Sequence, residues 1–230
     1  MFKRLQRSLI DFVFPPVCVQ CKKVGAALCA NCMADLPRIS KIICARCGRP
    51  MPKPLATCRH CKQRPLPLNH IRAPLTYVDP IASIIHKLKY NHQFALAEPL
   101  AQIILESWLP DNKPYGIIVP IPLHAQRQKK RGFNQSALLA KHLGEHLQIP
   151  VNETALKRIR HTPPQVGLHA NERLANMQGA FWADPHQVSG QPITLIDDVY
   201  TTGATLSAAA NALLAAGATT VSGYCVAQTA

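Results

Sequence analysis

The apolar positions of the chain follow two patterns, which predict helices in alternation with short strands. Over residues 80–90 an apolar residue recurs every three or four positions, at Ile81, Ile84, Ile85 and Leu88, as on one face of a helix. Similar spacing predicts helices over 96–109, 134–148 and 205–215, and short apolar runs predict strands over 116–123, 193–196 and 221–227. This alternation indicates an α/β domain whose mainly parallel sheet is flanked by helices.

Two aspartates and a threonine-rich turn follow the predicted strand 193–196. The strand would deliver Asp197 and Asp198 to the carboxyl edge of the sheet, where ligands bind in open α/β folds. Backbone N–H groups at the start of the next helix favour an anion such as phosphate, and hydroxyls of the turn add donors. Adjacent carboxylates repel a phosphate, so they are expected to accept hydrogen bonds from ribose hydroxyls, directly or through a divalent ion. The pattern therefore predicts a ribose 5-phosphate or a derivative as ligand. Helix capping by the aspartates and a phosphorylated receiver pocket are the alternatives.

The predicted strand 116–123 breaks at prolines into a cationic loop. Pro120, Ile121 and Pro122 are followed closely by four cations, at Arg127, Lys129, Lys130 and Arg131. Backbone N–H groups and nearby cations of this kind bind pyrophosphate in ribose-phosphate enzymes. A solvated basic turn and a nucleic-acid contact are the alternatives. For the basic residues of the predicted helix 80–90 and its end, the choice is between a nucleic-acid contact and a solvated helix face; these residues are His86, Lys87, Lys89 and His92.

Four Cys-x-x-Cys pairs occupy the N-terminal third of the chain. Two intervening residues let both sulfurs of a pair reach one metal, and two pairs complete the tetrahedral four-cysteine site that zinc prefers. The sequence leaves open whether the pairs combine consecutively or interleave, and whether one site or two are filled. Disulfides, or a redox role for one pair, are the alternatives to metal binding. The ninth cysteine, Cys225, lies in an apolar run and is expected to be buried in a strand. The eight candidate zinc ligands are Cys18, Cys21, Cys29, Cys32, Cys44, Cys47, Cys58 and Cys61.

Charge and composition divide the 230 residues into unequal parts. Residues 1–76 hold 14 lysines and arginines against two aspartates, whereas residues 77–230 hold 12 against 10 acidic residues. The basic N-terminal third suits a polyanion, with nucleic acid ahead of an anionic membrane. We predict a short amphipathic segment over 1–16, which docks on its own protein or contacts a membrane or partner, then a zinc module over 17–66 and the α/β domain over 75–230. No apolar run approaches the length of a transmembrane segment.

The aspartate and threonine loop closely resembles the phosphoribosyl pyrophosphate (PRPP) loop of type I phosphoribosyltransferases. That resemblance implies that Asp197 and Asp198 are the catalytic residues and face the ribose 2′ and 3′ hydroxyls. It also implies Mg²⁺ bound with PRPP, and pyrophosphate at Pro120, Ile121, Pro122, Arg127 and Arg131. Tyr200 is expected among the PRPP-binding residues, and the residues expected to wrap the 5-phosphate are Thr201, Thr202, Gly203, Ala204 and Thr205.

Nearly the whole chain is similar to the ComF/GntX family, which couples a double zinc ribbon to a phosphoribosyltransferase-like domain. The resemblance implies a role in natural competence and uptake of single-stranded DNA, with weak, salt-sensitive DNA binding. It further implies a cytoplasmic protein, with the periphery of the inner membrane and its competence machinery as alternatives for location and partner. The function is either PRPP-dependent transfer to an unidentified acceptor or binding without turnover. The further segments that carry the resemblance are HKLKY at 86–90, VPIP at 119–122, RGFNQ at 131–135 and a polar stretch from Thr162 to Phe181.

Overall fold

A computed structural model of the chain describes residues 15–40, 42–53, 56–108, 116–160 and 177–229. Most of the predicted amphipathic segment 1–16, the end of the predicted helix 96–109 and most of the polar stretch that ends at Phe181 lie outside these residues. The helices are α1 (Ala30–Ala34), α2 (Arg59–Gln63), α3 (Ile81–Tyr90), α4 (Ala97–Glu106), α5 (Ala125–Arg131), α6 (Gln135–Leu147), α7 (Pro185–Val188) and α8 (Ala204–Ala215). The strands are β1 (Ile71–Arg72), β2 (Leu75–Thr76), β3 (Ile117–Pro120), β4 (Leu156–Arg158), β5 (Phe181–Ala183), β6 (Pro192–Tyr200) and β7 (Thr220–Gln228).

The main sheet is parallel and has the order β1-β7-β6-β3, with β2 pairing to the same central strand as β1. Strands β4 and β5 form a separate antiparallel pair. The predicted helices and strands are all present, and Cys225 is fully buried in β7 as expected. Among the described residues, no helix combines the length and apolarity that a membrane crossing requires.

The sheet differs from the sequence expectation at two places. Strand β6 continues past Ile196 through both aspartates to Tyr200, because Asp197 and Val199 pair with Cys225 and Ala227 of β7. Residues 67–74, which the sequence assigned to neither predicted domain, contribute β1, and the side chain of Ile71 is fully buried beside β7.

Alternate residues of the central strands face two separate hydrophobic cores. Leu195 belongs to the core that includes α8, whereas Ile196 belongs to the core of α3, α4 and α6. Each core also takes in one part of the cysteine module: Cys44, Cys47 and Cys61 join the α8 core, and Cys18 joins the other. The module is therefore built onto both faces of the sheet rather than attached at one end.

Candidate functional site

The two aspartates of β6 are held by side chains from other elements. Asp198 is only 4% exposed; it forms an ion pair with Lys89 at the end of α3 and accepts a hydrogen bond from Gln135 Nε2 at 3.2 Å. Asp197 accepts a hydrogen bond from Ser136 Oγ at 3.0 Å and from the backbone N–H of Asp198 at 2.9 Å. The start of α6 thus fixes both carboxylates, since it supplies Gln135 and Ser136.

Lys89 has a different environment from the one its sequence position indicated. Its side chain is 21% exposed and paired with Asp198, so neither a nucleic-acid contact nor a solvated helix face describes it. Burial disfavours the charged form of Lys89, but Asp198 outweighs burial and raises the pKa of Lys89 above its usual value. The ion pair therefore stays charged inside the site.

The two aspartates differ in protonation because their neighbours differ. Burial raises the pKa of Asp197 to about 8, and the adjacent Asp198 carboxylate adds to the shift. Burial acts on Asp198 in the same direction, but Lys89 prevails and holds the pKa of Asp198 below its usual range. At neutral pH the pair thus combines a fixed carboxylate at Asp198 with a carboxyl at Asp197 that is mostly protonated.

A cavity of about 200 Å³ joins the aspartates to the loop that follows β3. Thr205 lies on its wall at the start of α8, and Arg158 of β4 adds a cation to which the sequence assigned no role. The sequence alone could not link β4 to this cavity, because its antiparallel pairing with β5 joins residues that lie far apart along the chain. The cavity is lined by Lys89, Tyr90, Ile121, Pro122, Leu123, Arg127, Arg131, Gln135, Arg158, Asp197, Asp198 and Thr205.

The loop after β3 is fixed by backbone and side-chain hydrogen bonds. Ile121 N–H donates to Ile196 C=O at 2.9 Å, and Asn134 Nδ2 donates to Ile121 C=O at 3.0 Å. Arg131 Nη1 donates to the side-chain oxygen Oε1 of Gln135, which holds the guanidinium near the cavity. Pro120 ends β3 just before the cavity, whereas Lys129 and Lys130 are exposed on α5 and lie outside it.

The threonine turn combines exposed hydroxyls with a close packing contact. Thr201 and Thr202 are partly exposed, and Ala204 is buried as the first residue of α8. Tyr200 is 1% exposed within the α8 core, so its side chain packs the turn from below and does not face the cavity. Gly203 has a φ of +81°, and a Cβ there would lie 2.9 Å from the Tyr200 ring. Only glycine fits this position without strain.

The eight paired cysteines form two clusters of four in the consecutive arrangement. Within each cluster the four sulfur atoms all lie within 4.8 Å of one another. The first cluster is Cys18, Cys21, Cys29 and Cys32, and the second is Cys44, Cys47, Cys58 and Cys61. Cys21 Sγ is 3.6 Å from Cys29 Sγ, and Cys47 Sγ is 3.6 Å from Cys58 Sγ. Tetrahedral zinc with bonds of about 2.3 Å places its sulfurs about 3.8 Å apart. Both clusters therefore fit structural zinc.

Backbone N–H groups prepare one thiol of each cluster for metal binding. Burial opposes ionisation of Cys18 and Cys44, but hydrogen bonds from backbone N–H groups outweigh it and lower the pKa of each thiol to about 6. Zinc binds thiolates, so these two positions are largely in the ligating form at neutral pH.

The second cysteine cluster contacts the threonine turn directly. Arg49, two residues after Cys47, donates from Nη2 to Thr201 C=O at 3.2 Å, and its guanidinium lies 6.0 Å from the centre of the Tyr200 ring. Gln228 at the end of β7 donates to Gly48 C=O at 2.7 Å. The cluster therefore supports the turn from the outside, a link that the sequence did not indicate.

Replacing Arg49 with alanine is expected to loosen the threonine turn without releasing zinc. A typical hydrogen bond contributes about 1 kcal/mol, so loss of this one should accelerate amide hydrogen exchange over 201–205 by about fivefold or more. Mass spectrometry of exchange would measure this, with Lys62→Ala as the matched control, because Lys62 is an exposed cation of the same cluster. Equal exchange in Arg49→Ala and the unmodified protein would show that the contact does not support the turn.

Comparisons with known proteins match the cysteine module to a family model and most of the chain to named relatives. Residues 9–62 match the family model of the double zinc ribbon domain. The chain is 32% identical over 225 residues to the DNA utilization protein YhgH of Salmonella typhimurium, covering 94% of this chain and 98% of that protein. It is 27% identical to competence protein F of Haemophilus influenzae, over 83% of this chain and 87% of the relative. It is 31% identical to competence protein ComFC of Bacillus subtilis, over 85% and 81% of the two chains.

Proposed function

The chain belongs to the ComF/GntX family of competence and DNA-utilisation proteins, and from this membership we propose that it binds PRPP in the β3–β6 cavity and supports the handling of single-stranded DNA. The observation that carries the PRPP proposal is the position of the two predicted loops on one cavity wall. PRPP has a phosphate at one end of a ribose and a pyrophosphate at the other. A site for it needs a hydroxyl acceptor and groups that bind an anion at each end, and the lining of this cavity includes Asp197, Thr205 and the cations Arg127 and Arg131.

Each cavity element has a separate role in the proposal. Asp197 accepts hydrogen bonds from the ribose hydroxyls, while the N–H groups and hydroxyls of the threonine turn hold the 5-phosphate. Arg127 and Arg131 hold the pyrophosphate, and Arg158 adds positive charge on the same wall. Lys89 keeps Asp198 ionised, so that a fixed negative charge lies beside the ribose.

These roles are suited to a reaction in which pyrophosphate leaves the ribose. The departing group carries negative charge and leaves an oxocarbenium-like sugar, so stabilisation depends on positioned charges rather than on a protein nucleophile. Mg²⁺ bound with PRPP would neutralise part of the pyrophosphate charge. Of the acidic groups in the cavity, Asp197 is the one not committed to Lys89 and is the one available to a hydrated cation.

The raised pKa of Asp197 predicts a pH-dependent affinity. A carboxylate accepts two ribose hydroxyl donors, whereas the protonated carboxyl accepts fewer, so binding at pH 7 should release a proton from Asp197, whose pKa is about 8. PRPP affinity should therefore rise as the pH increases from 6.5 to about 8.5 and then level off. Isothermal titration in two buffers of different ionisation enthalpy would count the protons. Asp197→Asn is the control, because its weaker PRPP affinity should not rise over this pH range, and an equal rise with pH in both proteins would refute the assignment.

Titration of the zinc-loaded protein with PRPP and Mg²⁺ tests the proposal, followed by an assay for released pyrophosphate with and without single-stranded DNA. Binding with DNA-stimulated release would support a phosphoribosyltransferase that uses a nucleic-acid acceptor. Binding without release would support the second candidate, a PRPP-binding DNA-handling factor without turnover. Absence of binding would reject the PRPP site.

The DNA proposal rests on the relatives and on the basic cysteine module. Lysine and arginine in the first 76 residues outnumber acidic residues 14 to 2, which favours contacts with backbone phosphates. Affinity for single-stranded DNA should be weak and should fall at least tenfold between roughly 50 and 200 mM salt. Salt-independent binding would contradict the electrostatic account. The reduced thiols fit a cytoplasmic location, where the competence machinery at the inner membrane is the proposed partner.

A further inference from the structure

Five aromatic side chains on α3, just after α3 and just after α5 form two groups of neighbouring rings. His86 and Tyr90 are adjacent on α3, with ring centres 4.6 Å apart. Phe94 and Phe133 meet edge to face at 4.7 Å, and His92 lies 5.7 Å from the first and 5.9 Å from the second. Tyr90 lines the cavity, and we call the five side chains together the aromatic rim.

The aromatic rim is exposed although the rings could pack in a core. Tyr90 is 58% and Phe94 is 46% exposed, and both are among the most exposed large apolar side chains of the described residues. His92 has a φ of +53°, in the left-handed region that non-glycine residues seldom adopt. Backbone in this region is found preferentially at functional sites. Packing within the fold does not explain an exposed cluster held by such a backbone.

The rim is continuous with the cavity and with its cations. Tyr90 and Arg131 both line the cavity, and the Arg131 guanidinium lies 5.0 Å from the centre of the Tyr90 ring. The exposed Lys129 and Lys130 precede Arg131 on α5. The rim thus places the exposed side chains of Tyr90 and Phe94 close in the chain to a row of positive charges.

The charge of the rim selects a polyanion as its occupant. Residues 80–97 and 116–144 contain lysine and arginine but no aspartate or glutamate. A partner protein that docked through apolar contacts alone would not require this one-sided charge. Single-stranded nucleic acid has both complementary features, because its bases stack on aromatic rings and its phosphates pair with cations.

We propose that the aromatic rim binds unpaired bases of single-stranded DNA, with Tyr90 and Phe94 as stacking residues and α5 as the phosphate contact. This inference rests on the DNA-handling part of the proposed function and does not depend on PRPP binding. It adds a base-binding surface on the α/β domain to the electrostatic contacts proposed for the cysteine module. A base stacked on Tyr90 lies at the mouth of the cavity.

Fluorescence anisotropy with a short labelled oligothymidylate tests the proposal at fixed salt. Phe94→Ala should weaken binding at least about fivefold, the loss typical for one stacking ring. An abasic oligomer of the same length should bind the unmodified protein and Phe94→Ala equally. Trp182→Ala is the matched control, because Trp182 is 43% exposed with Lys157 over its ring but lies on β5, outside the rim. PRPP affinity should be unchanged in Phe94→Ala, since Phe94 does not line the cavity.

Conservative variants separate stacking from folding. Phe94→Tyr keeps a ring and should retain full oligothymidylate affinity, whereas Phe94→Leu keeps an apolar side chain and should lose it. Unchanged oligothymidylate affinity in Phe94→Leu would overturn the proposal that the aromatic rim stacks bases. The same follows if Phe94→Ala loses as much affinity for the abasic oligomer as for oligothymidylate. Tighter binding of oligouridylate than of oligothymidylate would overturn its assignment to DNA. If the unmodified protein does not bind PRPP, only the cavity proposal is rejected, because the rim proposal is tested by affinity for DNA.

Discussion

Changing Cys44 and Cys61 to serine is expected to remove one zinc ion per chain and to unfold the second cysteine cluster with the core beside it. Cys44 is fully buried and Cys61 nearly so, and both join the hydrophobic core that includes α8 and Leu195. Structural zinc contributes about 10–16 kcal/mol to small zinc modules. The free energy of unfolding of a whole domain is only about 5–15 kcal/mol, so the zinc contribution is of the same size. Emission spectrometry for zinc and thermal unfolding would measure both effects.

The first cysteine cluster provides the matched comparison. Changing Cys21 and Cys32 to serine should also remove one zinc ion, but Cys21 is exposed, Cys32 is partly exposed, and the cluster joins the opposite core. The threonine turn contacts the second cluster through Arg49, so PRPP binding should fall much further in the Cys44 and Cys61 variant than in the Cys21 and Cys32 variant. Equal losses in the two variants would show that the second cluster has no special relation to the turn.

Replacing Asp198 with alanine is expected to destabilise the protein by about 3 kcal/mol and to abolish PRPP binding, because removal of one partner leaves a buried charge unpaired. Lys89 is that partner, and its side chain is 21% exposed. Urea unfolding would measure the stability change. Adding Lys89→Met to Asp198→Ala should recover much of the stability but none of the binding, since the methionine leaves no charge to compensate.

Substitution of Asp197, unlike that of Asp198, is expected to reduce PRPP affinity with little effect on the stability of the protein. With a pKa raised to about 8, Asp197 is mostly protonated at neutral pH, so Asp197→Asn replaces a neutral group by one of similar size. We expect a stability loss below about 1 kcal/mol, typical of one hydrogen bond, together with a large loss of PRPP affinity. If Asp198→Ala is as stable as Asp197→Asn, the Lys89 ion pair does not hold the site together.

The sequence predicted most of the helices and strands because their patterns are local. The spacing of Ile81, Ile84, Ile85 and Leu88 requires no tertiary information, and all four side chains are buried on α3 as that spacing implies. The spacing within each Cys-x-x-Cys pair is likewise local and predicted metal ligands, whereas the consecutive pairing of the two clusters is a finding of the structure that the sequence left open. Strand β6 extended beyond its apolar run because pairing with β7 continues past the last apolar residue.

The contacts that shape the site could not be predicted in the same way. Lys89 and Asp198 lie 109 positions apart, and Arg49 and Thr201 lie 152 apart. A helical pattern assigns Lys89 to the polar side of α3 but does not say what lies opposite it. The position of Lys89 at the end of α3, beside the carboxyl end of β6, depends on how α3 packs on the sheet. The HKLKY segment at 86–90 was the available signal, and it gave no role to its second lysine.

A crystal structure of the zinc-loaded protein with PRPP and Mg²⁺ tests the central proposal most directly. The proposal predicts ribose hydroxyls within hydrogen-bond distance of Asp197, the 5-phosphate at the turn formed by residues 201–205, and the pyrophosphate beside Arg127 and Arg131. PRPP bound away from the β3–β6 cavity, or with its pyrophosphate at the threonine turn, would contradict it.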